Sequence, residues 1–335
     1  MTRQSVLRSL CAIALGLFLS ATAHAQLFRT YIAPDGVDGN PCTLAAPCRL
    51  LPAALATVID GGEIWMLGSA NYNTSSVNIA KSVTILAVPG ALGSVVAIGG
   101  NAINIATAGV KVSLRNLVIV PFIGGGGLNG IYMTAGTSLT VENCLIANLP
   151  QSGIFVVGPA SVLVTDTTIR DNLNHGLFAS SGARATVART TISRNGNIGI
   201  YLFGPIAGST TADIADSTIS NNSYGVYSYA ANAAAVLKVT VHDSRIVGNA
   251  IHGITAASAG AGPSVVSASN NVISNNGTGI LASQPGARVW ASGNTVSNNV
   301  YGLDNNAGLL ESAGDNAVRN NTTQTQGTIT PIPKI

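Results

Sequence analysis

The densest group of chemically capable side chains is Asp166, Arg170, Asp171, His175, Arg189 and Arg194. Two carboxylates can serve as acid and base across one bond, an imidazole can carry a proton near neutral pH, and guanidiniums can neutralise an anionic substrate. Asp166, Asp171, His175, Arg189 and Arg194 are therefore the catalytic candidates, for acid-base work on an anionic substrate. Counting repeats along the chain, Asp166 falls one repeat before Arg189, and Asp171 one before Arg194. Opposite charges stacked at strand spacing equally describe modest surface ion pairs. A second group, His242, Asp243, Arg245 and His252, has a weaker claim. The position of Asp243 is polar throughout (Asn116, Asn143, Asp166, Arg189, Asp216, Asp243, Asn270), and a lone His before a Gly at a turn is commonly solvated.

A different kind of surface is offered by Tyr132, Phe155, Phe178, Tyr201 and Tyr227, which follow one another at steps of 23, 23, 23 and 26 in a chain with only 5% aromatic residues. Rings in register can support one another along a sheet. They can also form a platform for successive sugar rings or an extended partner, because an exposed apolar strip of that length usually means binding. Tyr224, Tyr229, His252 and Tyr301 could rim the strip. No Cys or His cluster has zinc spacing. The "GGGG" at 124–127 does not lie between a strand and a helix, so it is no nucleotide loop. No cofactor is expected, and no motif supports calcium.

These residues must be held by regular elements, and a repeat supplies them. "DSTISNN" at 216–222 returns as "DSRIVGN" at 243–249, and its apolar anchor recurs as Ile119, Ile146, Ile169, Ile192, Ile219, Ile246, Ile273, Val296 and Val318. The steps are 27, 23, 23, 27, 27, 27, 23 and 22. Three residues after seven successive anchors comes Asn (172, 195, 222, 249, 276, 299, 321), followed by a Gly-aliphatic pair such as Gly199-Ile200. Fixed spacing inside the phrase and slack between phrases mean short strands joined by one constant and one variable turn, the signature of a parallel solenoid. β-branched residues, alternation, and Gly and Asn at each junction exclude a helical repeat. The expected fold is all-β, with nine to ten rungs of three strands, and the Asn column reads as a ladder of stacked amides at a corner. Cys144, two residues before an anchor, becomes a small buried rung-mate of Thr167.

The ends of the chain set the compartment. Arg3 and Arg8, the apolar run at 10–20 and "AHA" at 23–25 have the layout of a signal peptide. Cleavage is expected before Gln26, giving a secreted or periplasmic protein. The apolar run is too short to span a membrane, and no later run is long enough. Beyond the leader, 14 of the 16 Lys and Arg face 13 acids, which points to neither nucleic acid nor an anionic membrane. An oxidising compartment favours a bridge between Cys42 and Cys48, worth roughly 2–2.5 kcal/mol through loop entropy.

The rungs resemble those of the right-handed parallel β-helix superfamily, the pectate-lyase-like fold. The stretch "TYIAPDGVDGNPCTLAAPCRLLPAALATVIDGGEIWML" at 30–67, then "VNIAKSVTILA" at 77–87, is similar to its entry segment. The resemblance implies an initial strand, the Cys pair, a short capping helix over 52–59 that plugs the open end, and a first rung from Gly61. Together with the leader and the repeat, this gives an expected division into a signal peptide (1–25), an entry region with the first rung (26–80), the β-helix (81–322) and a C-terminal tail (323–335). Members that cleave or epimerise polysaccharides resemble one another in clustered Asp residues with Arg, Lys or His nearby. Here there is no adjacent Asp pair, no Gly-His-Gly and no Asp-Pro-His-Asp. The favoured expectation is accordingly a monomer binding an extracellular polysaccharide or cell-envelope surface through the aromatic stripe. The alternatives are a polysaccharide lyase, epimerase or hydrolase, as the resemblance implies, built on the charged cluster, and a purely structural or adhesin-like rod.

Overall fold

The computed structural model describes residues 27–260 and 262–333; the expected signal peptide lies outside them. The chain coils as a right-handed parallel β-helix whose rungs each contribute a strand to three sheets. Sheet I has 13 strands and runs from Leu27–Ile32 to Ile329–Ile332, while sheets II and III have 11 each. Within one rung, Ser161–Thr165 belongs to sheet I, Thr168–Arg170 to sheet II and Leu177–Ser180 to sheet III. Rungs about 4.8 Å apart make a rod on the order of 50 Å long. Two rungs precede the repeated phrase, contributing Ala70–Asn71 and Gly93–Ala97 to sheet II. Residues 323–326 and 329–332, in the region read as a tail, add the last strands to sheets III and I.

Register follows the anchors. Ile146, Ile169, Ile192, Ile219, Ile246 and Ile273 pair rung upon rung and are fully buried, so β-branched side chains fill the interior of sheet II. The Asn column stands beside them. From Asn172 to Asn321, each Nδ2 donates to the Oδ1 of the Asn one rung on, at 2.8–3.1 Å. The backbone N–H of each donates to the same oxygen. Buried amides are tolerable here because they are satisfied. The Gly of each Gly-aliphatic pair has a packing reason: a Cβ on Gly199 would stand 2.7 Å from the carbonyl oxygen of Gly225 and 2.7 Å from Ile219 Cγ2.

The entry region closes one end of the rod. The helix Leu51–Thr57 carries Pro52 in its first turn and buries Leu51, Ala54 and Leu55 against the first strands. A helix laid there blunts an open sheet edge. Cys42 and Cys48 are joined by a disulfide and fully buried. Cys144 is buried, and its N–H donates to Thr167 Oγ1 at 3.2 Å. Burial raises its thiol pKa to about 11, which keeps it unreactive.

Candidate functional site

The charged candidates occupy the two tight corners that flank sheet II. At each corner one residue adopts left-handed backbone: Asp166 and Arg189 on one side, at φ 51° and 47°, and Asp171 and Arg194 on the other, at 58° and 54°. Most rungs place Asn or Asp there, whose short side chains tolerate that region. The two arginines are compensated by pairing across rungs. Arg189 donates from Nε and Nη2 to the two oxygens of Asp166, at 2.8 Å each. Arg194 does the same to Asp171, at 2.7 and 3.0 Å, and Arg170 also reaches Asp171. The hydrogen bonds from Arg189, then that from Thr165, hold the Asp166 carboxyl down at about 2, and Arg194 depresses Asp171 in the same way. A shallow groove of about 470 Å³ runs past Asn116, Asn143, Leu145 and Thr168, with Asp166 as the charged residue on its wall.

His175 is placed elsewhere. The chain turns its corner between Asn172 and Gly176, and the imidazole comes to rest among rings, 5.9 Å from Phe178 and 5.1 Å from Tyr201 between centroids. It is 7% exposed, and its Nδ1 is sealed from solvent with no partner. Burial lowers its pKa to about 4, so it is neutral at physiological pH. The second group divides likewise. His242 lies on sheet I with Nδ1 2.8 Å from Asp243 and Nε2 3.7 Å from Asp213, whereas His252 lies on sheet III, 5.3 Å from Tyr224.

The five stripe residues pair in one outward column on sheet III, and two patterns appear along it. Tyr132, Phe155 and Phe178 stack nearly parallel, with centroids 5.3 and 4.3 Å apart and planes 17° and 5° from one another. Their faces are spent on each other. From Tyr201 onward the planes tilt: Phe178 meets Tyr201 at 76°, and Tyr201 meets Tyr227 at 39°. Here the strands lengthen to Ile198–Gly204 and Tyr224–Ala230, and a second outward pair, Phe203 and Tyr229, joins the first. Tyr201, Phe203, Tyr227 and Tyr229 thus form a two-by-two patch that stays partly open to solvent. Tyr224 and His252 flank it; Tyr301 lies two rungs beyond His252 in the same column. The sequence reading missed Phe203, although its signal was present: it stands two residues after Tyr201, on the same face by strand alternation.

Among the described residues, no group of three or more His, Cys, Asp or Glu is placed to hold a metal, and no helix is long and apolar enough to cross a membrane.

Comparison with known proteins agrees with the architecture. Among solved structures, the chain is similar to a rhamnogalacturonan lyase (TM-score 0.60, 12% identity, covering 83% of this chain and 82% of that one). It is also similar to the pectate lyase Pel9A (TM-score 0.58, 14% identity, 88% and 79%) and to the Dettilon tailspike protein (TM-score 0.51, 13% identity, 90% and 68%). At such identities the likeness is one of fold. No curated protein sequence matches significantly. The model of the right-handed β-helix region matches residues 101–269, half of the chain. With its rungs, its corner ladder and that match, the chain belongs to the right-handed β-helix family.

Proposed function

We propose that the protein is an exported β-helix that binds a polysaccharide, outside the cell or at its envelope, through the outer face of sheet III. One observation carries the reading: Tyr201, Phe203, Tyr227 and Tyr229 form a partly open patch in a chain with only 5% aromatic residues. Aromatic side chains offer large, rigid contact area at low entropic cost, and an apolar strip rimmed by polar groups is the usual form of a binding surface. The disulfide between Cys42 and Cys48 fits an oxidising compartment. The polysaccharide lyases among the similar structures lend the substrate class by analogy of fold. The proposal leaves Asp166, Asp171, Arg189 and Arg194 to the corners. Both carboxylates are occupied by guanidinium groups, and His175 packs with the rings.

A glycan array probed with the wild type and with Tyr201→Ala and Tyr229→Ala tests the reading. Binding by the wild type that weakens about tenfold or more in each variant is expected, as for central aromatic anchors. An array with no bound glycan, or with binding that both substitutions leave unchanged, would reject it.

A further inference from the structure

Charge is distributed unevenly around the rod. The strands of sheet I carry six Lys or Arg (Arg29, Lys111, Arg115, Arg184, Lys238, Arg288), and those of sheet II carry three (Arg170, Arg245, Arg319). The eleven strands of sheet III carry none. Its outward column continues from Tyr227 through Thr255 and Leu281 to Asp304, the one acidic residue in those strands. Burial acts on the ionisable groups of this face in one sense: it raises the Asp304 carboxyl and lowers the imidazoles of His175 and His252, favouring the uncharged form of each.

The same face holds unmatched polar atoms. Nδ1 of His175 and of His252, Oγ1 of Thr255 and Oδ1 of Asp304 are buried without hydrogen-bond partners. His175 and Thr255 are 7% and 1% exposed. Buried polar atoms are ordinarily paired, so these four are unmet costs carried by the covered part of this face beside the open rings; sealed from water, they neither add a charge to the face nor meet a ligand directly.

We infer that the ligand of this face is an uncharged polysaccharide lying along the rod across Tyr201, Phe203, Tyr227 and Tyr229, rather than a uronate polymer. The inference rests on the glycan-binding reading above and deepens it by naming the class of glycan. A uronate chain brings one carboxylate per residue and is held by cations; the strands of this face carry none, and Arg194 at the adjoining corner is engaged by Asp171. Along the rod the ring centroids stand 5.6 Å apart from Tyr201 to Tyr227 and 6.0 Å from Phe203 to Tyr229, so an extended chain can lie across successive rings.

Affinity electrophoresis against four soluble polymers decides the matter: a galactomannan and a mixed-linkage β-glucan as neutral probes, polygalacturonate and alginate as acidic ones. Retardation by at least one neutral polymer is expected, changing less than twofold between about 0.05 and 0.5 M salt because no ion pair is screened. It should fall about tenfold or more in Tyr201→Ala and persist in Tyr201→Phe, with thermal midpoints confirming that both variants fold. Retardation by the acidic polymers alone, weakened by salt and lost in Tyr201→Ala, would overturn the inference while leaving glycan binding at this face intact. Binding to none of the four, or binding indifferent to Tyr201→Ala and Tyr229→Ala, would overturn both readings. A concentration-dependent dimer abolished by Tyr229→Ala would make the face a contact between copies and overturn the inference as well.

Discussion

The corner between sheets II and III and the outer face of sheet III lie within a few residues of each other on every rung, yet they stack in opposite ways. At the corner, each Asn from 172 to 321 finds acceptors and donors on its neighbours, and the column is buried and saturated. On the face, rings meet at changing angles, and His175, His252, Thr255 and Asp304 each keep one atom unpaired. A saturated column has nothing left to offer a partner, so its residues serve the rod. An unsaturated one costs stability, and such costs are characteristically retained where a protein binds or reacts.

Breaking the saturated column should give the larger effect. Asn249 accepts the Asn222 N–H and Nδ2 and donates to Asn276 Oδ1 and the Ile219 carbonyl. Asn249→Ala leaves those groups buried and unmatched, so a loss of about 3 kcal/mol or more is expected in denaturant unfolding. A loss near zero would mean that the ladder is ornamental. The unsaturated face should reveal itself through pH. Because burial depresses the folded pKa of His175 from 6.5 to about 4, the unfolded chain takes up the proton first as pH falls. Stability should therefore be whole above about 6.5 and decline down to about 4, by up to about 3 kcal/mol. His175→Phe should flatten that slope in part, the remainder belonging to His252, whose pKa burial also lowers. An unchanged slope would show that the imidazole is not buried in solution. The smallest effect is expected at the charged corner. Arg189→Asn exchanges an exposed ion pair for the side chain that other rungs use in left-handed backbone, so the thermal midpoint should not move measurably. A clear destabilisation would mark the Asp166 pair as more than a surface contact.

Much of the fold was legible because a solenoid writes its register into the chain. The anchors, the Asn column and the pairing of Asp166 with Arg189 all follow from counting, since residues one repeat apart must be neighbours. Cys144 beside Thr167 follows from the same count. The candidate site was legible only in part. His175 falls four residues after Asp171 and was grouped with it, but the corner at 172–176 swings the imidazole onto the next sheet, and no spacing rule conveys the direction of that turn. Phe203 was overlooked because repeat counting follows columns, whereas its relation to Tyr201 runs along the strand.

What the chain determines by itself is which residues share a column: identical phrases at a nearly constant period can only stack like upon like. What the folded rod decides is how neighbouring columns meet. Ring tilt, the sealing of a nitrogen, and the gathering of cations on sheets I and II away from sheet III depend on corner geometry and strand length, which arise from packing between columns rather than from order within one.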